Sequence, residues 1–248
     1  MYLIGDIGNT DIKICLFNKN CKVVKKLILK TNLISNKYLA SNLNFLMKYS
    51  GKINIILFSS VVPPIYSVIR KFLKNKLKKK CIELKQLNLN KLVKIMVNKK
   101  QVGSDRISNA IGIINKKSNY IILDFGTATT FDVVIKDKYL GGVIAPGVNL
   151  SLKTLISKAS LIPPVNISKI SKIVGTNTSS AVKSGFYWGY AGLIDNVIKL
   201  IIKQTNKPFK IILTGGLAHL FKNTIKGKIE VKKDLTINGL LKVAKNLK

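Results

Sequence analysis

Acidic residues are scarce in this sequence. Aspartate and glutamate make up 10 of its 248 residues, against 43 lysines and arginines, and the formal net charge is +33. A strongly basic chain can bind nucleic acid, but such proteins usually add stacking aromatic side chains, and aromatic residues are only 7% here. Because lysine accompanies abundant asparagine and isoleucine along the whole chain, we interpret the charge as a compositional bias. A nucleic-acid partner is the less favoured alternative.

Cysteine and histidine are almost absent. The three cysteines, Cys15, Cys21 and Cys81, are odd in number and form no C-x-x-C pair, so the sequence predicts ordinary free thiols rather than a zinc or redox site. His219 is the only histidine. A histidine triad and a multi-histidine metal site are therefore excluded, and His219 is predicted to be a loop or packing residue.

Long apolar runs are also lacking, and no leader segment is expected. The longest apolar candidates, such as Ile53–Phe58, have the length of a strand and fall far short of the roughly 18 residues that a membrane-spanning helix needs. The N-terminus has no basic segment followed by an apolar stretch, so no secretory signal is expected and the protein is predicted to be cytoplasmic. A hydrophobic fraction of 47% is enough for a buried core in one large domain or two linked halves.

Half of the few carboxylates fall within three short segments. These five residues are Asp6, Asp11, Asp105, Asp124 and Asp132. In a chain whose composition disfavours acids, this grouping indicates that a function other than solubility maintains them. No G-x-x-x-x-G-K-[ST] phosphate loop is present, so an ATP site built on these segments must be of another kind.

The order of apolar segments predicts an α/β fold. Runs rich in isoleucine, leucine and valine predict strands, and apolar residues at helical spacing predict helices. Strands are predicted at 2–5, 12–17, 22–29, 53–58, 120–123, 129–136, 139–144 and 211–213, and helices from Pro63, from a capping Ser104 to about Lys117, and over 177–203.

Two segments of the chain echo each other. Ile4–Thr10 and Leu123–Thr130 both deliver a D-x-G-[NT] turn from an apolar run. The echo predicts a duplicated fold with two β-rich halves, residues 1–118 and 119–248, and a cleft between them.

The first candidate motif is Asp6-Ile-Gly-Asn-Thr-Asp-Ile-Lys13. An apolar strand delivers the Asp6 carboxylate to a tight turn, where Gly8 lets a ligand approach the backbone closely. Backbone N–H groups and the Thr10 hydroxyl suit phosphate oxygens, Lys13 adds positive charge, and Asp6 can hold Mg²⁺ or its water shell. Taken alone, the pattern is also typical of a plain hairpin turn.

Three further motifs follow. The segment Asp124–Asp132 repeats the first motif with more hydroxyl groups, and two such turns facing each other would clamp the phosphates of a nucleotide. Gly103-Ser104-Asp105-Arg106 places a carboxylate at a predicted helix start, where it could accept the proton of a substrate hydroxyl, beside an arginine suited to bidentate binding of a carboxylate or phosphate. Such an Asp-Arg pair is also common as a structural helix cap. Gly141–Gly147 predicts a tight, rigid turn that shapes a pocket wall.

In this order and at this spacing, the four motifs resemble type III pantothenate kinases. The resemblance covers nearly the whole chain and includes Ser59–Pro63, Leu161–Pro163 and Gly175–Thr178 before Ser184-Gly185. It implies an actin-like fold of the sugar-kinase class, a homodimer, and transfer of the ATP γ-phosphate to the primary hydroxyl of pantothenate, the first step toward coenzyme A. It also implies Mg²⁺ and a monovalent cation, K⁺ or NH₄⁺.

The resemblance also implies roles for individual residues. Asp105 would be the general base, Arg106 would bind the substrate carboxylate, and Asp124 would hold the monovalent cation. Asp6 would hold Mg²⁺ through water, and in this family the partner subunit helps to complete the site. The implied ATP contacts are Asp6, Ile7, Gly8, Asn9, Thr10, Asp11, Ile12, Lys13 and Thr127. The implied pantothenate contacts are Gly103, Ser104, Asp105, Arg106, Thr178 and Met96.

Two positions depart from the family pattern. The family often carries tyrosine nine residues before the catalytic aspartate, where this chain has Met96, and the proline expected after Asn98 is Lys99. These departures keep open a kinase of the same fold with another acceptor. A binding or regulatory protein is the other alternative, because a fold does not fix a function, although the retention of all three motif aspartates argues against it.

Overall fold

The computed structural model describes residues 1–247, and two mixed β-sheets organise them. In chain order the strands are β1 (Tyr2–Ile7), β2 (Asp11–Phe17), β3 (Val23–Lys30), β4 (Ile55–Ser60), β5 (Cys81–Glu83), β6 (Lys94–Ile95), β7 (Asn119–Phe125), β8 (Ala128–Ile135), β9 (Lys138–Pro146), β10 (Lys210–Gly215) and β11 (Ile229–Val231). The helices are α1 (Asn36–Leu43), α2 (Pro63–Leu77), α3 (Ser104–Ile113), α4 (Val148–Lys158), α5 (Thr178–Thr205), α6 (Ala218–Phe221) and α7 (Leu235–Lys245). Short 3-10 helices lie at Thr31–Leu33, Asn44–Tyr49 and Leu84–Gln86.

The chain divides into two structural units. The first unit comprises residues 1–114 and 137–139 together with the C-terminal segment from Asp234, and the second comprises residues 115–136 and 140–233. Helix α7 therefore belongs to the first unit, whereas the predicted boundary at residue 118 assigned it to the second half. The amphipathic pattern of α7 could not by itself show which half would cover its apolar face.

The first unit is built on a sheet with the strand order β3-β2-β1-β4-β5. β1 pairs antiparallel with β2 and parallel with β4. All of its residues are buried except Asp6, which is partly exposed near the carboxyl end of the strand. A central strand covered on both faces reads as a continuous apolar run, and Asp6 is the polar exception that this strand presents.

Helices α1 and α2 cover one face of that sheet. α2 begins with two prolines at its first helical positions, where the missing N–H groups need no partner. Its buried residues recur at helical spacing and join one core cluster with Leu3 and Ile7 of β1. Side chains alternate along a strand, so Asp6 points to the opposite face of β1 from this cluster.

Helices α3 and α7 pack tightly against each other and contact β1 and β4. A Cβ atom on Gly239 of α7 would lie 1.9 Å from the carbonyl oxygen of Ser108 in α3. The Ser108 hydroxyl donates to the Thr236 carbonyl at 2.7 Å, and Lys242 Nζ donates to the carbonyls of Ile111 and Ile114 at 3.0 and 2.9 Å. Burial lowers the pKa of Lys242. α7 thus holds the carboxyl end of α3 through backbone contacts.

Helix α3 ends earlier than predicted. It stops at Ile113 rather than near Lys117, because the Asn115 side-chain oxygen accepts from the N–H groups of Lys117 and Ser118 and Lys116 has a φ of 62°. A side chain that binds the following backbone offers an alternative to continuing the helix.

The second unit repeats the local arrangement of the first. Its strands follow the order β11-β10-β7-β8-β9 in a sheet of six strands that also includes β6, and the central β7 pairs antiparallel with β8 and parallel with β10. As in β1, the penultimate residue of β7 is an aspartate, Asp124, which stays partly exposed in a buried strand. Helix α5 packs on this sheet through Tyr187, Ile194 and Ile198.

Several smaller predictions are settled by these elements. The tight turn predicted over Gly141–Gly147 is wrong, because β9 continues through Pro146 and Gly147 caps α4. His219 is exposed in the short α6. The three cysteines are free, with Cys15 and Cys81 buried and Cys21 partly exposed. Within residues 1–247, no helix combines the length and apolarity needed to span a bilayer.

Candidate active site

Asp6 lies in a row of three side chains across the first sheet. It is in register with Lys13 of β2 and with Ser59 of β4. The fully buried Ser59 donates its hydroxyl proton to Asp6 Oδ1 at 2.5 Å. The carboxylate is therefore oriented by a hydroxyl, with an ammonium-bearing residue on the neighbouring strand. This arrangement suits a hydrated cation and a phosphate next to each other.

Hydrogen bonds from Thr31 support the turn between β1 and β2. Gly8 N–H donates to the Asp11 carbonyl at 3.1 Å, and a Cβ on Gly8 would lie 3.1 Å from that same oxygen. Thr31 donates its N–H to the Thr10 carbonyl at 3.0 Å and its hydroxyl to the Gly8 carbonyl at 2.8 Å. Asn9 and Thr10 remain exposed at the tip. The turn can thus present its tip to a ligand without losing its own support.

The remaining residues of the first motif differ in exposure. Asp11 forms an ion pair with Lys30 at 2.7 Å. Ile7 and Ile12 pair with each other across the strands and are fully buried. Of these predicted ATP contacts, the two isoleucines can offer only backbone groups.

The Gly103–Arg106 motif is joined directly to the end of β4. The Ser104 hydroxyl accepts from Ser60 N–H at 2.8 Å and donates to the Ser60 carbonyl at 3.0 Å. The predicted capping role of Ser104 is wrong, because Gly103 is the N-cap and Ser104 is the first helical residue. Its hydroxyl instead anchors α3 to the strand that carries Ser59.

Asp105 occupies a confined position at the start of α3. Its Oδ1 accepts from Arg106 N–H at 2.8 Å, and a Cβ on Gly103 would lie 2.4 Å from that oxygen. Burial raises the pKa of Asp105, and the N–H and charge of Arg106 together with the charge of Lys85 oppose that shift. The residue nevertheless keeps part of its surface accessible. A desolvated, accessible carboxylate is suited to proton transfer.

Glu83 is a neighbouring carboxylate that the motif analysis missed. It lies at the end of β5, and its Oε2 accepts from Lys85 N–H at 2.7 Å. Its Oε1 is buried, and burial raises the pKa of Glu83. The scarcity of acids that singled out Asp105 could also have drawn attention to Glu83. The contact between Ser59 and Asp6 was also missed, because its only sign in the sequence is a pair of serines at the end of an apolar strand.

Asp124 occupies in the second unit the place that Asp6 has in the first. It is in register with Thr130 of β8 and with the buried Thr214 of β10. Gly215 has a φ of +86°, and a Cβ there would lie 2.6 Å from Asp124 Oδ1. Only glycine leaves this oxygen accessible, and oxygen groups on both neighbouring strands suit a hard cation.

Other predicted contacts in the second unit lie in exposed places. Thr127 is exposed in the turn between β7 and β8, and its carbonyl accepts from Gly147 N–H at 3.1 Å. A Cβ on Gly147 would lie 2.2 Å from the same oxygen, so the fourth motif supports the second. Thr178 is exposed at the start of α5, which Asn177 caps.

Met96 lies in the first unit. Its N–H donates to the Tyr139 carbonyl at 2.9 Å, and 58% of its surface is exposed. An exposed thioether cannot donate the hydrogen bond that a tyrosine hydroxyl would offer at this position.

The acidic residues do not form a metal cage by themselves. Among the described residues, no three His, Cys, Asp or Glu side chains are grouped closely enough to hold an ion. Mg²⁺ is commonly bound by one or two carboxylates together with substrate phosphates and water. Asp6 fits a magnesium ion that arrives with a nucleotide.

Known proteins similar to this chain include members of one kinase family. The family model for type III pantothenate kinase matches residues 2–200. The chain is 55% identical over 248 residues to a type III pantothenate kinase of Pelagibacter ubique, with 100% of both chains covered.

Solved structures identify the fold. The activator of the 2-hydroxyisocaproyl-CoA dehydratase from Clostridium difficile, bound to ADPNP, is similar with a TM-score of 0.55 at 12% identity, covering 99% of this chain and 94% of that one. An inorganic polyphosphate/ATP-glucomannokinase from Arthrobacter gives 0.52 at 10% identity, covering 99% and 98%. The predicted actin-like α/β fold is confirmed.

Proposed function

The chain belongs to the family of type III pantothenate kinases, and from that premise we propose that Asp105 is the general base in its phosphorylation of pantothenate by ATP. The product is 4'-phosphopantothenate, the first intermediate on the route to coenzyme A. The observation that carries the proposal is the carboxylate of Asp105, which is accessible, held by Arg106 N–H and raised in pKa by burial.

The chemistry assigned to Asp105 is one proton transfer. As the primary hydroxyl of pantothenate attacks the γ-phosphorus, its oxygen forms the new P–O bond and its proton passes to the carboxylate, while ADP leaves. The start of α3 is anchored, because the Ser104 hydroxyl accepts a hydrogen bond from Ser60 N–H and donates one to the Ser60 carbonyl. This anchor limits the movement of the base. Arg106 is assigned to the carboxylate of pantothenate.

The nucleotide phosphates are assigned to the β1–β2 turn and Lys13. Asp6 would hold Mg²⁺ through water, and this ion supplies charge neutralisation of the phosphates when bound. Ser59 keeps Asp6 oriented for that role. Thr127 is the proposed phosphate contact of the second unit, and Thr178 a proposed pantothenate contact.

Asp124 is the proposed ligand of K⁺ or NH₄⁺. The support comes from its neutral neighbours in register, Thr130 and Thr214, and from the space that Gly215 leaves beside Oδ1. Hydroxyl and carboxylate oxygens are ligands that hard cations prefer.

We propose that the protein forms a homodimer through exposed apolar side chains of the second unit. Ile144 of β9 and Leu200 of α5 are 62% and 54% exposed, and Trp188 of α5 is 37% exposed. Large exposed apolar residues mark interaction surfaces when they are contiguous. Sedimentation velocity tests the proposal, and a monomer at micromolar concentration would contradict it.

We place the reaction in the cytoplasm, where ATP is available.

The experiment that tests the function is a coupled ADP-release assay. Pantothenate is compared with a panel of other small primary alcohols at saturating ATP and Mg²⁺. The proposal predicts the highest kcat/KM for pantothenate. Because Met96 cannot replace a tyrosine hydroxyl, the second candidate is a kinase with a different acceptor, and a higher kcat/KM for another alcohol would establish it.

A further inference from the structure

Two lysines tie the segment before α3 to the segment after β5, in opposite directions. Lys85 Nζ donates to the carbonyls of Lys100 and Val102, each at 3.0 Å. Lys99 Nζ donates to the Leu87 carbonyl at 3.0 Å. Each lysine therefore comes from one segment and binds the backbone of the other. We call Lys85 and Lys99, with these three hydrogen bonds, the lysine clamp.

The clamp is distinct from the general abundance of lysine. Most lysines of this chain are exposed, whereas Lys85 and Lys99 are partly buried. Their ammonium groups satisfy backbone carbonyls in irregular segments, and such carbonyls need partners when water is excluded. Lys242 makes contacts of the same kind with the carbonyls of Ile111 and Ile114.

Lys99 belongs to a turn that begins at Asn98. In this chain the Asn98 carbonyl accepts from Gln101 and Val102 N–H at 3.0 and 3.2 Å, and the Lys99 side chain ties the resulting turn to Leu87. A hydrogen bond to a neighbouring segment therefore restrains this turn.

The clamp ends next to the proposed base. Val102 is buried and is followed by Gly103, the N-cap of α3. The positive charge of Lys85 lowers the pKa of both Asp105 and Glu83 against the effect of burial. Lys85 thus acts on the position of the motif and on its charge, whereas Lys99 acts on position alone.

We propose that Lys85 and Lys99 are positioning residues for phosphoryl transfer, which hold the 98–102 turn so that α3 presents Asp105 to the substrate hydroxyl. The inference rests on the proposed role of Asp105. Neither lysine is assigned a contact with ATP or pantothenate. Their effects therefore have to appear through the turn and through the base.

The first test measures the turn without any substrate. Lys85→Met and Lys99→Met are compared with Lys91→Met, a control that removes an exposed lysine from the same connection. Hydrogen exchange of the 98–102 amides is expected to be about five- to tenfold faster in both clamp variants, the effect of losing one or two hydrogen bonds. The control should exchange at the wild-type rate. Unchanged exchange in the clamp variants overturns the clamp.

The second test measures kinetics across pH. Both clamp variants are expected to lose about tenfold in kcat/KM for pantothenate, as for a modest misplacement of a catalytic group, with the KM for ATP unchanged. The acidic limb of the profile should move to higher pH in Lys85→Met, because Asp105 loses a nearby cation, but stay in place in Lys99→Met and in Lys85→Arg. An unmoved limb in Lys85→Met, with wild-type kcat/KM, overturns the positioning role.

The two tests separate this inference from the proposed function. If the wild-type protein transfers no phosphate to pantothenate, the proposed function fails, and the exchange rates still decide whether the clamp exists. If wild-type activity is present and the exchange rates change without any loss of kcat/KM, the clamp is purely structural and the positioning role is overturned.

Discussion

The proposed role of Asp105 as a base carries a cost in stability. Burial raises its pKa, so the folded state holds the proton more tightly than the unfolded chain does. Between the two pKa values the unfolded chain is the more ionised, and folding loses stability as pH rises through that window. The ionised carboxylate is therefore unfavourable to the fold, although the proposed role as a base needs it.

Asp105→Asn should separate these two effects. Turnover is expected to fall by about 10²–10⁴-fold, the usual contribution of a general base. The melting temperature at pH 7 should stay at or above the wild-type value, because the amide oxygen can still accept from Arg106 N–H. Steady-state ADP release and thermal melts at pH 5 and pH 7 measure both. Near-wild-type turnover would remove Asp105 from the mechanism.

Ser59 is the second residue for which the structure makes a sharp prediction. Ser59→Ala deletes the hydroxyl that orients Asp6. The apparent affinity for Mg²⁺ and for ATP should weaken about tenfold, as when a supporting partner of a metal ligand is lost. The KM for pantothenate should change little, because the Ser59 hydroxyl donates to Asp6, the residue assigned to the metal ion of the nucleotide. Titration of Mg²⁺ at fixed ATP is the measurement.

Ser108 provides the matched control for Ser59. It is equally buried, but its hydroxyl donates to the Thr236 carbonyl of α7. Ser108→Ala should lower the free energy of unfolding by about 1 kcal/mol and leave the Mg²⁺ titration unchanged. If the two variants shift the titration equally, the effect is a general loss of packing and Ser59 has no special role.

At the scale of elements, the sequence was sufficient where a pattern is local. The strands around Asp6 and Asp124 follow from apolar runs that end in a carboxylate, and both were predicted. The partner of Ser104 was not, because a helix cap and a bond to a distant strand use the same hydroxyl. The continuation of β9 through Pro146 was not predicted, because the glycines in this segment are also typical of a turn. The packing of α7 on α3 depends on a contact between residues far apart in the chain.

Gly239 tests how tightly α7 holds α3. A methyl group at this position would lie 1.9 Å from the Ser108 carbonyl oxygen, and neither helix can relax without giving up buried hydrogen bonds. Gly239→Ala should therefore destabilise the protein by about 1–3 kcal/mol, as overpacking does. Urea unfolding followed by circular dichroism gives the value. Gly51→Ala is the control, since nothing lies within 4 Å of a Cβ there. Equal midpoints for both variants would contradict the close packing.

At the scale of the whole molecule, the duplicated arrangement carries unequal chemistry. Each unit places an aspartate near the end of a central strand, but Asp6 has Lys13 in register where Asp124 has Thr130. A lysine beside Asp6 suits phosphate, whereas hydroxyls beside Asp124 suit a cation that needs no counter-charge. The two units thus place a carboxylate at the same strand position, and the residue in register on the neighbouring strand distinguishes the phosphate and cation roles proposed for them.

The cation assignment predicts a dependence on the type of monovalent ion. Replacing K⁺ or NH₄⁺ by Na⁺ at constant ionic strength should lower kcat, and Asp124→Asn should abolish the difference between the ions. The KM for pantothenate and ATP, measured in each salt, locates the effect. Equal rates in all three salts would contradict the assignment of a monovalent cation to Asp124.

The excess of positive charge makes a prediction about partners. With 43 basic and 10 acidic residues, most lysines cannot have an acidic partner, and ion pairs such as Lys26–Asp234 are surface-exposed. Such a surface should attract any polyanion at low salt through release of counterions, without reading its sequence.

Fluorescence anisotropy with two unrelated DNA duplexes can decide whether that attraction is functional. Binding is expected at low ionic strength for both duplexes, with affinities that fall by about 10³–10⁵ between 50 and 200 mM salt if six to ten phosphates are contacted. The charge is then a compositional feature that a kinase tolerates, because screening acts over about 8 Å at physiological ionic strength. Binding that persists at 150 mM salt and prefers one duplex would instead establish a nucleic-acid function beside the kinase.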